Sequence, residues 1–164
     1  QTGFSYPTAC SLRFQFAAAG DRPGIELFWY DGGMKPRFPR EIEALDPKMQ
    51  REGILFVGDQ GAVLADFHGQ NARLLQKGEI RPLEVSESQS PASRYHPWIE
   101  ACQGGEQSPG SFLKAAAITD AVNLGTVALR AGEKVDFDSN AMKITSSARA
   151  DKYLYRQYRE GWEL

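Results

Sequence analysis

The segment IELFWY limits the possible folds of this chain more than any other feature. In a β-strand, Ile25, Leu27 and Trp29 lie on one face, and Phe28 and Tyr30 lie on the opposite face. A strand with one solvent-facing side alternates apolar and polar residues, whereas a strand that is apolar on both faces is covered on both. We therefore expect this strand to lie between two layers of protein.

The rest of the N-terminal half is also dominated by predicted strands. Alternating apolar residues predict a strand with one polar face over residues 9–17. Two β-rich runs, Ile54–Val57 and Ala62–Phe67, flank a glycine-bracketed turn, which is typical of a hairpin. A further short strand is expected over residues 71–76, and a short helix is expected around residues 40–45.

The last third of the chain is predicted to be mostly helical. A short helix is expected from near Pro97 to Gly104, and a long helix between a Ser111 cap and a Gly132 stop. The long helix carries few charges, so we expect it to be buried on most sides. The other predicted elements are a surface connection over residues 78–95, a short strand within residues 133–138, and a closing helix over residues 146–164 with a stripe of Leu154, Tyr155, Tyr158 and Trp162.

The order of these elements, strands first and helices afterwards, is typical of the α+β class. Hairpin connections give antiparallel pairing, so we expect an open, largely antiparallel β-sheet with helices packed on one face. A chain of 164 residues fits one domain, and the sequence contains no internal repeat. We therefore treat residues 1–164 as a single domain.

Charge and hydropathy argue against two classes of partner. Nineteen Lys and Arg residues against 21 Asp and Glu residues give a formal net charge of -2, which favours neither nucleic acid nor an acidic membrane. We also expect no apolar run long enough to span a bilayer. The first residue is Gln1 rather than Met, so we expect a piece of a longer protein. Cys10 and Cys102 are expected to be buried free thiols, although a disulfide between them stays open.

Common catalytic and nucleotide-binding motifs do not occur. The sequence has no GxGxxG turn, no Walker lysine motif, and no GxSxG, CxxC or HExxH pattern. Acid pairs such as Asp59 with Asp66, or Asp136 with Asp138, are interpreted as charged turns. No spacing of histidines and carboxylates indicates a metal site.

The two histidines receive different interpretations. His68 lies in DFHGQN and is expected to be an exposed turn residue. His96, directly before Pro97 and Trp98, is either a packed or capping imidazole or a ligand contact.

The segment FWYDGGMKP also has two interpretations. Asp-Gly-Gly is a turn signal in its own right. Alternatively, Tyr30, Asp31 and Lys35 deliver a phenol, an acid and an ammonium group to a ligand at the end of a strand. Such a set suits a sugar-like or polyol ligand, which offers hydroxyls and a weakly apolar ring face.

An ordered set of segments over nearly the whole chain resembles the C-terminal domain of bacterial Gfo/Idh/MocA-type oxidoreductases, in the branch common in Bacteroidetes and Planctomycetes. The segments are SYPTACSLRFQF, LFWYDGGMKP, GILFVGDQGAVL, HPWIEACQGG, AVNLGTVALRAGEKVDFD and KYLYRQYREGWEL. The resemblance implies a dihydrodipicolinate-reductase-like domain whose open sheet face forms substrate-site and subunit contacts.

The resemblance further implies a two-domain enzyme that acts on sugars or polyols. A Rossmann domain outside this chain would hold NAD or NADP, so no cofactor is expected in this chain alone. Homo-oligomers would form through the open sheet face, and Tyr30, Asp31, Lys35 and His96 would contact substrate. Relatives often carry a twin-arginine export signal, so the compartment, periplasmic or cytoplasmic, stays open.

The chain departs from the family at its catalytic motif. The Glu-Lys-Pro motif that provides the family's catalytic lysine is absent, because Glu133 and Lys134 are followed by Val135. We therefore expect no catalytic residue in this chain and no turnover by it alone. Two alternatives stay open: the same domain of a glycosidase that uses NAD-dependent oxidation and elimination, or a non-enzymatic module whose sheet serves association or binding.

Overall fold

A computed structural model describes residues 5–49, 51–83 and 95–162. It contains helices and exclusively antiparallel strand pairs within these residues, which confirms the α+β prediction. The chain divides into two compact units, Gln1–Gln89 and Ser90–Leu164. The described strands form three separate sheets rather than the single open sheet predicted, because each strand pairs with its nearest neighbour in sequence.

The first sheet is a hairpin of β1 (Ser11–Phe16) and β2 (Ile25–Tyr30). Its register runs from Ser11 opposite Tyr30 to Phe16 opposite Ile25. Both strands were predicted. The expectation that β2 is covered on both faces is not met within the described chain, because its four large apolar residues before Tyr30 are between 45% and 52% exposed.

The second sheet is a four-stranded antiparallel meander in the first unit. Its strands are β3 (Ile54–Gly58), β4 (Gly61–Ala65), β5 (Arg73–Gln76) and β6 (Glu79–Pro82). The predicted β3–β4 hairpin is confirmed, but β6 lies in the segment predicted to be a surface connection. A two-residue turn of Lys77 (φ 52°) and Gly78 (φ 80°) connects β5 to β6, and Lys at the first position is a weak hairpin signal.

A short helix, α1 (Arg40–Glu43), covers part of one face of this meander. Its Ile42 packs with Ala62, Leu64 and Leu75, which are buried on the same face. The strands supply alternate residues to this face, as the side-chain period of two requires. One short helix therefore packs on one face of this meander.

Within its described residues, 95–162, the second unit contains three helices and a minimal hairpin. In order these are α2 (His96–Cys102), α3 (Phe112–Ala131), β7 (Phe137–Asp138), β8 (Lys143–Ile144) and α4 (Ala148–Asp151). Its core consists of four buried residues from α3, β8 and α4: Val127, Ala131, Ile144 and Ala150.

The predicted limits of α3 are confirmed. The Ser111 hydroxyl accepts a hydrogen bond from the Lys114 backbone N–H at 3.4 Å, and Gly132 ends the helix with φ 68°. The prediction that α3 is buried on most sides is wrong, since Phe112, Ile118 and Val122 are 95%, 70% and 62% exposed. The small core of this unit contacts the C-terminal part of the helix, through Val127 and Ala131.

Helix α3 also corrects the prediction that no apolar run is long enough to span a bilayer. Its 20 residues are sufficient for a membrane span by length and composition alone. It is the one such helix in the described ranges, and a core helix of a soluble protein meets the same criterion.

The predicted closing helix is largely wrong. Helix α4 ends at Asp151, and residues 152–162 are irregular. Leu154 packs against the core, while the Tyr155 hydroxyl donates to the Met142 carbonyl at 3.1 Å. Aromatic residues are poor helix formers, and here their side chains contact other groups instead of forming a stripe.

Candidate functional site

Asp31 lies at the end of β2 and joins the two strands of the hairpin away from their turn. Its carboxylate accepts hydrogen bonds from the Cys10 backbone N–H and from the Cys10 thiol, the latter at 3.2 Å. The Trp29 indole N–H donates to the same carboxylate at 3.4 Å, and the Asp31 backbone N–H donates to the Cys10 carbonyl at 3.1 Å. The carboxylate is therefore occupied by protein donors.

These contacts change the acidity of both partners. The Cys10 backbone N–H, followed by its thiol, holds the pKa of Asp31 below its ordinary value, because both donate to the ionised form. Burial, followed by the bond to Asp31, raises the pKa of the Cys10 thiol. The raised pKa makes Cys10 a weak nucleophile. Both cysteines are free, but Cys102 is exposed and Cys10 half-buried, so the prediction of two buried thiols is wrong.

The other predicted contacts lie in different surroundings. Tyr30 is half-buried beside Asp31, and the Lys35 ammonium donates to the Met49 carbonyl at 3.0 Å. Lys35 therefore anchors the loop that follows α1. His96 belongs to the second unit, where its Nε2 lies 3.2 Å from a Glu100 carboxylate oxygen one helical turn away. The role of all four residues in substrate binding stays a prediction.

Asp66, Asp138 and His68 behave as turn residues. The Asp66 carboxylate accepts from the backbone N–H groups of His68 and Gln70, at 3.0 and 2.8 Å. The Asp138 carboxylate accepts from the backbone N–H groups of Asn140 and Ala141 in the same manner. No group of three metal-ligating side chains occurs among the residues that the structure describes.

The β2 surface is the largest apolar feature of the first hairpin, and we define it as the exposed side chains of Ile25, Leu27, Phe28 and Trp29. Because neighbouring residues of a strand point to opposite sides, the β2 surface extends over both faces of the hairpin. The Arg13 guanidinium lies 5.7 Å from the centre of the Phe28 ring and also pairs with Glu26. About half of each of the four apolar residues stays exposed.

Sequence reasoning missed a cleft in the first unit, which we call the α1 cleft. It has a volume of about 360 Å³ and lies among α1, the β3–β4 turn and the β5–β6 turn. Its apolar lining includes Ile42, Leu45, Val57 and Leu75. No sequence motif marks it, because its residues come from three separated segments.

The polar lining of the α1 cleft is chemically mixed. It consists of Glu41 from α1, Asp59 and Gln60 from one turn, and Gln76 and Lys77 from the other. None of these five side chains makes a hydrogen bond or an ion pair with another residue in the described part of the chain. They contrast with Asp31 and Asp66, whose carboxylates are both occupied.

Comparison with models of known protein families, with curated proteins and with solved structures gives no match.

Proposed function

We propose that this chain is the substrate-facing and oligomerising C-terminal domain of an NAD(P)-dependent sugar or polyol oxidoreductase of the Gfo/Idh/MocA type. The β2 surface is the observation that supports this proposal, because an apolar strand exposed on both faces fits a domain that meets a companion domain or subunit. In that setting the first hairpin would belong to a dihydrodipicolinate-reductase-like sheet.

The free energy gained by burying the β2 surface is large enough to stabilise a contact. Fully burying one large apolar side chain contributes about 1.5 to 3 kcal/mol, so covering four half-exposed ones contributes about 1 kcal/mol each. That sum suffices to stabilise a contact between domains that are already joined in one polypeptide, where association costs less entropy.

In the proposed enzyme, this chain contributes substrate positioning rather than the redox step. The nicotinamide, held by a Rossmann domain elsewhere, supplies hydride transfer to or from a carbinol carbon. The Tyr30 hydroxyl and the Lys35 ammonium would contact substrate hydroxyls, with Lys35 exchanging its Met49 carbonyl for the ligand. Asp31 would hold the strand end in place through its hydrogen bonds with Cys10. His96 would form a hydrogen bond with the substrate at a separate point.

The deciding experiment uses the natural polypeptide that contains this chain. We expect the fluorescence of NADH or NADPH to change when this polypeptide binds the nucleotide. We also expect NADH absorbance to appear with at least one member of a sugar and polyol panel. Release of a sugar without net NADH would identify the glycosidase alternative. Absence of nucleotide binding, with no glycine fingerprint upstream of Gln1, would reject both enzymes and favour the association module.

Substitutions in the same polypeptide test the positioning residues. Tyr30→Ala and Lys35→Ala should each raise KM for the substrate about tenfold or more, because each removes a hydrogen bond to a hydroxyl in a desolvated site. Lys48→Ala is a matched control. Lys48 lies next to Met49 in the loop that follows α1, and its ammonium pairs with Asp46 on the surface. Unchanged KM and kcat in both test variants would leave the turn interpretation of this segment.

A further inference from the structure

We infer that the α1 cleft is a second ligand site, which takes a small, neutral, polyhydroxylated molecule about the size of one sugar ring. This site shares none of the residues assigned to substrate binding above. The inference does not depend on nicotinamide chemistry, so the proposed function and this site can fail separately.

The shape of the cleft limits the size of its ligand. A volume of about 360 Å³ lies at the small end of the range for small-molecule sites. Val57 lines the cleft from the edge strand β3, where it pairs with Ala62. It lies beyond the part of the sheet that α1 covers and is 58% exposed. An apolar ligand face can therefore pack on Val57 without displacing the core.

The polar lining determines the chemistry of the ligand. Two carboxylates, two primary amides and one ammonium surround the apolar part, so acceptors and donors are both available to hydroxyl groups. With two carboxylates against one ammonium, an anionic ligand meets a net repulsive site. A neutral ligand with several hydroxyls fits this set, whereas a phosphate or a carboxylate does not.

Two glycines shape the turns that line the cleft. Gly61 has φ 154°, and a Cβ placed on it would lie 2.6 Å from the Leu75 carbonyl oxygen. Gly78 has φ 80° and no atom within 4 Å of such a Cβ. The first glycine fixes the close approach of β4 to β5, and the second leaves Lys77 as the one side chain of the β5–β6 turn.

The test measures binding of two neutral probes, myo-inositol and methyl β-D-glucopyranoside, to the 164-residue chain by amide chemical-shift mapping. We expect saturable shifts confined to residues 57–61 and 75–78 and to α1. Glucose 6-phosphate, as an anionic comparator, should bind several-fold more weakly. Shifts confined to the Tyr30–Lys35 segment, or no saturable shift with either neutral probe, would overturn the inference.

Matched substitutions link the binding to the cleft. Asp59→Ala removes a carboxylate and Val57→Phe fills the apolar part, and each should raise the dissociation constant about tenfold or more. The controls are Glu43→Ala on the same helix as Glu41, and Phe56→Trp on the opposite face of β3 from Val57. These should change the dissociation constant less than about twofold, and equal losses in tests and controls would contradict the assignment.

Probe binding to the same variants can be measured in the natural polypeptide if the isolated chain does not stay in solution. There, the saturation-transfer signal of each probe should fall in Asp59→Ala and persist in Tyr30→Ala. The reverse pattern would place the probe in the substrate site and reject a second site.

Discussion

Cys10 illustrates how one hydrogen bond can control the chemistry of a side chain. Its thiol donates to Asp31 at 3.2 Å, and burial together with this bond raises its pKa. A thiol reagent attacks the thiolate, so the fraction of ionised thiol sets the rate of reaction. The second cysteine, Cys102, is exposed at the end of α2.

We predict that Cys102 is alkylated several-fold faster than Cys10 at neutral pH. Asp31→Ala should accelerate the reaction of Cys10, because it removes both the acceptor and the negative charge that oppose ionisation. Iodoacetamide labelling followed by mass spectrometry of peptides measures both rates. Equal rates at the two cysteines in the unsubstituted chain would contradict the described environment of Cys10.

Glu133 offers a test of pH dependence at the same scale. The Ser147 hydroxyl donates to its carboxylate at 2.8 Å and Arg149 lies 3.2 Å away, so its pKa falls below the ordinary value of 4.5. A carboxylate with a lowered folded pKa contributes stability that is complete above the unfolded pKa and is lost as pH falls through the folded pKa.

We therefore expect Glu133→Gln to destabilise the chain at neutral pH and to have a diminishing effect below about pH 4. Thermal unfolding followed by circular dichroism at several pH values measures this difference. Glu106→Gln is the control, since the Glu106 side chain makes no hydrogen bond within the described ranges. A difference that grows towards low pH would have the wrong sign.

At the scale of elements, the β4–β5 pairing depends on a backbone conformation that favours glycine. Gly61 begins β4 with φ 154°, and the space for a Cβ is occupied by the Leu75 carbonyl. Gly58, at the other end of the same turn, has its nearest atom at 3.8 Å from an added Cβ. The two glycines therefore differ in their tolerance of a side chain.

Gly61→Ala is expected to lower the free energy of unfolding by about 1 to 3 kcal/mol, because it combines backbone strain with a steric clash. Gly58→Ala should change it by less than about 0.5 kcal/mol, or stabilise slightly. Urea unfolding of the two variants measures both values. A larger loss in Gly58→Ala than in Gly61→Ala would reject the described β3–β4 turn.

The elements that could be predicted from the sequence are those formed by interactions between residues close together in the chain. Local signals were sufficient for β1, β2, the β3–β4 hairpin and the capped helix α3. Strand β6 was missed because its turn begins with Lys77, whose positive φ no local rule requires. The closing helix failed because Leu154 is fixed by packing against the core rather than by helical periodicity. The α1 cleft has no local signal, because it joins three segments.

At the scale of the whole molecule, the β2 surface is an exposed apolar area suited to association with another surface. Its apolar side chains lie on both faces of a hairpin, and exposed apolar strands are prone to associate. If this surface is an interface, adding charge to it should disrupt assembly without unfolding the hairpin.

We predict that Phe28→Lys shifts the natural polypeptide towards monomers, with a weakening of association of at least about tenfold, because a buried unpaired charge opposes the contact. Size-exclusion chromatography with light scattering measures the mass of the particles. Phe67→Lys is a control, since Phe67 is similarly exposed in a turn outside the β2 surface. An unchanged oligomer in Phe28→Lys would exclude the β2 surface from the interface.

The first hairpin is closed by contacts at both of its ends, and this affects how it opens. The Ala19–Arg22 bridge closes the end that carries the turn, and the Asp31 contacts to Cys10 close the opposite end. Because both ends are closed, we expect the amides that are hydrogen-bonded between the two strands to take up deuterium through one common opening and at one common rate. A companion surface that binds this hairpin would then slow uptake at every one of these amides by the same factor.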